Sequence, residues 1–324
     1  MSFKVLVPVF FLAVSSLIFK VNASDLKDNA REQYQLGLTV LAKPDFKKTD
    51  YEQVLLHFEK AKVQAAANKD EEDLHQLSIL GLARIYYEMA YALTDNDPMR
   101  KVLLNRSIAE YRSIPRFSAR WSQALFEQAW AYTIIEDYDG ALGALYSLKD
   151  PYFSHYFSPE SEVLEAIIYW RNCRWDKAEQ ALQAFESSYV SLLPVLKNLV
   201  QKNQQDESWY RLLKEPGELP EKIRNYLIHE NQKKDGLWVK NNIQRIIREI
   251  EEMQMRAQVI SLETKMGFAG WFKKESPLLL VENETSARSY VADPNYFFWN
   301  ASTKERWIDE LGYYRIAIKS LCYE

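Results

Sequence analysis

Residues Ala129–Phe153 read AWAYTIIEDYDGALGALYSLKDPYF. Two helical stretches flank EDYDG, whose acidic and glycine residues are turn formers. Ala129 and Tyr132 sit on the first stretch, Tyr138, Ala141 and Leu145 on the second, and Pro151 ends that second helix. The pattern recurs. Ala129 and Ala166 are 37 residues apart, and so are Ala141 and Ala178, with Tyr169 and Leu182 in matching places. Equal offsets in both helices indicate a repeated hairpin in which small residues let two helices approach and larger ones fill the space between hairpins.

Leu125-x2-Gln128-Ala129-x2-Tyr132 and Glu162-x2-Glu165-Ala166-x2-Tyr169 are the two clearest first helices. Ile79-x2-Leu82-Ala83-x2-Tyr86 is a third, paired with Ser107 and Tyr111 after a longer connection. Leu36-Gly37-x2-Val40, with Val54-x3-Phe58 and Ala61, is a fourth. These motifs resemble the tetratricopeptide repeat family over roughly 30–189. SARWSQALFEQAWAYTIIEDYDGALGALYSLKDPYF, YWRNCRWDKAEQAL and RWIDELGYYRIAIKSLC further resemble exported delta-proteobacterial repeat proteins related to the myxobacterial gliding machinery. The resemblance implies an all-α array of tetratricopeptide-like hairpins, an α-solenoid, with a helical C-terminal extension. It also implies an envelope protein or peptide as partner.

Helical periodicity places helices over 25–41, 51–67, 71–93, 99–114, 118–135, 138–148, 159–170 and 175–189. The second half lacks the repeat. SLLPVLKNLVQKNQQ and PEKIRNYLIHENQKK read as helices. Leu237–Met266 reads as one long helix, broken by GFAGWFKKESP, and KERWIDELGYYRIAIKSL as a terminal helix. The organisation is a leader over 1–23, a repeat region over 24–190 and a helical region over 191–324.

The leader is read from Lys4, the apolar run Val5–Phe19, and Val21 and Ala23 as the small residues of a cleavage site. A run of this length is short for the roughly 20 residues of a membrane span, so a secretory signal is favoured over an uncleaved anchor. The expected location is the periplasm. Loss of Lys4 and Lys20 takes the formal charge from −4 to −6, which points away from nucleic acid, whose phosphates need a basic surface. Cys173 and Cys322 lie in the exported part, where one disulfide is permitted. Two buried free thiols are the other arrangement, because pairing is not encoded in spacing.

No reaction is legible. The four histidines, His57, His75, His155 and His229, show no metal-ligand spacing, and there is no nucleophile elbow or phosphate loop. Glu136, Asp137 and Asp139 fall in the hairpin turn. No enzyme activity, cofactor or metal is expected. An accessory peptidoglycan-binding protein or an envelope enzyme is the alternative, and it would need a polar cleft with clustered carboxylates. The functional signal is the inner face of the array. Counting from the small positions puts Leu80, Arg84, Tyr87, Phe126, Trp130, Ile167 and Trp170 in a concave groove. Arg84 is the charge suited to a partner carboxylate, and the aromatics are the anchors interfaces use. Either a partner fills this groove or the C-terminal half folds back into it, with NYFFWN and the terminal helix as candidate plugs.

Overall fold

The computed structural model describes residues 29–202, 206–215, 217–230, 236–274 and 311–322. The leader 1–23 and the NYFFWN stretch lie outside the described residues. The described chain is helical, without strands. Four consecutive hairpins come first: α1 (Ala30–Leu41) with α2 (Asp50–Ala66), α3 (Glu72–Tyr91) with α4 (Pro98–Ser113), α5 (Trp121–Ile134) with α6 (Tyr138–Leu148), and α7 (Pro159–Arg171) with α8 (Trp175–Ser188). Each helix packs on its neighbours in sequence. These bounds lie within a few residues of those expected from periodicity. α9 (Leu193–Lys202), α10 (Asp206–Lys214), α11 (Glu221–Glu230) and α12 (Gly236–Lys274) follow. α10 is the one helix that periodicity does not single out.

Helix ends are set locally. The Asn29 side chain accepts from the Glu32 amide at 2.8 Å, and Asp97 accepts from Met99 at 2.9 Å with Pro98 opening α4. Such caps satisfy amides that have no partner inside the helix. The turns inside the last two hairpins are the same turn. The Asp137 amide donates to the Tyr132 carbonyl at 2.9 Å, and the Arg174 amide donates to the Tyr169 carbonyl at 2.9 Å. Glu136 donates to Thr133 and Cys173 to Trp170. This pair of bonds is a Schellman motif, which needs a left-handed residue after the helix. Glu136 takes that conformation at φ 64° and Cys173 at φ 54°, each at a cost of roughly 1–2 kcal/mol for a residue with a Cβ. The 37-residue offset of the sequence is therefore also an offset of backbone geometry.

The small positions pack as the repeat requires. Ala129, Ala141, Ala166 and Ala178 are all fully buried. In the first hairpins the Phe58 ring fills the space between Gly37 and Gly81. A Cβ would come within 2.5 Å of that ring at Gly37 and 2.8 Å at Gly81. Described helices of the second half pack on the last hairpin. α12 crosses α7, α8, α9 and α10. Its stripe Val239, Ile243, Ile246, Ile250, Met253, Ala257 and Ile260 shares one core with Val163, Ala166, Leu182 and Phe185 of the last hairpin. Each fully buried aliphatic side chain there is worth about 2 kcal/mol.

Two expectations are corrected. GFAGWFKKESP does not break the long helix at its glycines, since α12 continues through Lys274. Gly267 is where α12 passes over Trp175 of α8, and a Cβ there would stand 2.9 Å from the indole. The terminal helix is corrected too: residues 311–313 form a turn and 314–322 a non-helical strap, while 301–310 lie outside the described residues. The strap runs against α6 in the opposite direction. Leu311 is buried beside Trp121 and Leu125, and Ile316 and Ile318 pack on the core around Ala141 and Leu142. Amides of Gly312, Ile316, Ile318 and Leu321 donate to Ser147 Oγ, the Asp139 carbonyl, Asp139 Oδ1 and the Asn172 carbonyl, at 2.9, 3.1, 3.0 and 2.9 Å. Cys322 is joined to Cys173 by a disulfide.

Candidate functional site

The predicted groove residues fall into three environments. Leu80 and Phe126 are buried and offer nothing to a partner. Leu80 points sideways into the core shared by α3 and α5, with Ala83, Ala124 and Leu125. Phe126 does the same between α5 and α7, with Leu164 and Ile168. Neighbouring first helices turn these positions toward each other and away from solvent. Ile167 and Trp170 are half-buried against the core that α12 builds on α7, so the second half does fold back over this part of the face.

Arg84 is not available to grip a partner carboxylate. Its Nε and Nη2 donate to the two oxygens of Glu127 at 2.8 and 2.5 Å. The Tyr111 hydroxyl donates to the same carboxylate at 3.0 Å. This two-pronged pair ties α3 to α5. Burial disfavours the Arg84 charge, but Glu127 more than compensates and holds the guanidinium protonated.

Tyr87 and Trp130, on α3 and α5, are half-buried, and Trp130 packs on the core around Ala129 and Leu164. Trp130 stands beside Glu160, the first-turn carboxyl of α7. Glu160 is buried, with Arg256 of α12 at 3.7 Å. Burial pushes its pKa up to about 7, with Arg256 opposing the rise and Glu249 and Glu252 adding to it. Burial likewise raises Glu249 to about 7, against the pull of Arg245. Arg256 also holds Glu252 at 2.5 Å. Tyr87 and Trp130 thus lie near one carboxyl, Glu160, whose pKa burial raises.

A second concavity lies between the loop after α6 and the start of α11. It is a cleft of about 370 Å³ whose lining includes Lys149, Asp150, Tyr156, Glu162, Tyr189 and Lys222. Lys149 pairs with Glu162 at 3.3 Å and Glu165 at 2.5 Å. The Lys222 ammonium sits 3.6 Å from the centre of the Tyr189 ring, and burial lowers its pKa. Polar and aromatic walls with charges of both signs can orient a small polar ligand. The sequence does not reveal this cleft, because Lys222 lies far from the loop along the chain. Among the described residues no group of three or more His, Cys, Asp and Glu could hold a metal ion, and no helix is long and apolar enough to cross a membrane.

The acidic turn EDYDG has a use that sequence reasoning missed. Asp137 caps α6 through the Gly140 amide at 3.2 Å and receives both ends of the Arg315 guanidinium at 2.5 and 3.1 Å. Asp139 binds the strap backbone. The signal for a non-helical strap was present: Tyr314, Ile316 and Ile318 alternate with Tyr313, Arg315, Ala317 and Lys319 after Gly312, a period of two.

No protein-family model, no curated protein and no solved structure matches this chain.

Proposed function

We propose that the chain is a non-catalytic periplasmic scaffold or adaptor. In this reading the hairpins form a tetratricopeptide-like solenoid, and an envelope protein or peptide docks on its inner face, in a motility or envelope-assembly complex. The observation that carries the reading is the pair of Tyr87 and Trp130, half-buried on neighbouring first helices and near the carboxyl of Glu160. Aromatic anchors beside a polar rim are what protein interfaces use for most of their binding energy. The contact area is narrower than periodicity alone suggests, since Leu80 and Phe126 are core and α12 covers Ile167 and Trp170. The test is in-cell photocrosslinking in the native envelope, with the photoreactive residue at Tyr87, at Trp130, or at Val63, which is exposed on α2. An adduct of one mass from Tyr87 and Trp130 but not from Val63 is the expected result. Adducts from Val63 alone, or none from the inner pair, would end the proposal.

A further inference from the structure

The cleft between the loop after α6 and the start of α11 holds two charges, of opposite sign, that its own residues do not balance. Lys222, in the first turn of α11, stands on the face of Tyr189, 3.6 Å from the ring centre. That ring is fixed, since Tyr189 is buried and its hydroxyl donates to the Ser158 carbonyl at 3.1 Å. A ring face attracts a cation but carries no net charge. Among the described residues no carboxylate comes within ion-pair distance of Lys222. Burial lowers its pKa, with only Glu162 opposing, so this ammonium gains more from a bound anion than a solvated lysine would.

The opposite excess sits at Glu162. Lys149 serves two carboxylates at once, Glu162 at 3.3 Å and Glu165 at 2.5 Å. One ammonium between two carboxylates leaves one negative charge over. Both carboxylates are largely buried, at 15% and 16% exposed, where water screens little of that excess. Glu162 is the member of the trio's two acids that lines the cleft, and its Oε2 is buried without accepting a hydrogen bond. Asp150, the other carboxylate of the lining, accepts from the Tyr152 amide at 2.9 Å. Glu162 and Lys222 thus share one cleft without meeting in an ion pair.

We propose that this cleft binds a small zwitterion of amino-acid type, its carboxylate on the Lys222 ammonium and its own ammonium on Glu162 Oε2. Charge selects the class. A simple carboxylate satisfies Lys222 and adds to the excess at Glu162, and a simple amine does the reverse. A ligand with both charges a few bonds apart balances both, through charge-assisted hydrogen bonds at each end. Size agrees: about 370 Å³ is at the lower end for small-molecule sites and suits one amino acid or a dipeptide. Leu148, Pro151, Phe153 and Tyr156 supply apolar and aromatic wall for its side chain. The site is separate from Tyr87 and Trp130, so it stands or falls independently of the proposed function.

Leucine, lysine, glutamate and alanylalanine, each titrated into the full chain by calorimetry up to about 10 mM, test the inference. At least one should bind with a Kd of about 1 mM or tighter, and acetate, methylamine and N-acetylleucine about tenfold or more weakly than that. Lys222→Met keeps an unbranched side chain on the Tyr189 ring and removes the charge; it should weaken binding roughly tenfold or more, while Lys222→Arg retains most of it. In the unaltered chain the bound zwitterion should slow reductive methylation of Lys222 and leave the exposed Lys101 unchanged. Failure of all four zwitterions to bind overturns the inference. So does binding indifferent to Lys222→Met, equal affinity for leucine and N-acetylleucine, or equal methylation of Lys222 with and without the bound zwitterion.

Discussion

Gly143 of α6 is the point at which the strap comes closest to a helix. A Cβ built there would lie 1.7 Å from the Tyr314 carbonyl oxygen and 2.4 Å from its carbon. Carbon and oxygen need more than 3 Å, so Gly143→Ala must lift the strap by more than about 1 Å. A shift of that size breaks the flanking bonds from Gly312 to Ser147 and from Ile316 to Asp139, worth about 1 kcal/mol each. It also draws Leu311 from its pocket, worth about 2 kcal/mol. Alanine in a helix returns about 1 kcal/mol relative to glycine. The net expectation is a loss of about 3 kcal/mol in urea denaturation, where an ordinary helical glycine would show a gain. A double-mutant cycle with Leu311→Ala makes the reasoning vulnerable. Alone, Leu311→Ala should cost about 2–3 kcal/mol. In the Gly143→Ala background, with Leu311 already unseated, it should cost close to nothing. Additive losses, or a neutral Gly143→Ala, would refute the account.

The raised pKa of Glu160 implies a pH dependence with a definite sign. A carboxyl ordinarily at 4.5 and held at about 7 in the fold binds its proton more tightly when folded, so stability from this group is complete below about 4.5 and is lost as pH rises through 7. The upper limit is about 3 kcal/mol. Denaturation of the wild type minus that of Glu160→Gln, measured from pH 5 to 8, should show this decline; parallel curves would contradict it. The disulfide closes a loop with a sequence separation of 149, for which loop-closure entropy gives about 5 kcal/mol. Cys322→Ser should lower the denaturation midpoint accordingly and speed amide exchange at Leu321, and an unchanged midpoint under oxidising conditions would count against it.

The hairpins were legible because their information is local. Ala129 and Ala166, Tyr132 and Tyr169, and the turn between the paired helices all fall within one hairpin, where periodicity and turn chemistry act directly. The surroundings of the expected groove residues were legible only in part. Counting along one helix finds the side on which Leu80 and Phe126 lie, but whether that side meets solvent or a neighbour depends on how hairpins stack. Arg84 looked free because its partner, Glu127, is on another hairpin. Arg256 and Glu160 are drawn together by the crossing of α12 over α7, which no short window contains. The strap was misread for another reason. In IDELGYYRIAIKSL the apolar residues satisfy both a helical and an alternating count, and Gly312, at φ +85°, was the breaker that should have decided between them.

Stiffness is the last consequence of the strap. A stack of hairpins bends most easily where consecutive hairpins touch least, and here that is the junction of α6 with α7, after the inserted loop. The strap is bonded along α6 and then covalently to the turn beyond α7. It is a tie across the softest hinge of the stack, so a load pulling the last hairpin away must break the bonds of the strap to α6 as well as part the helices.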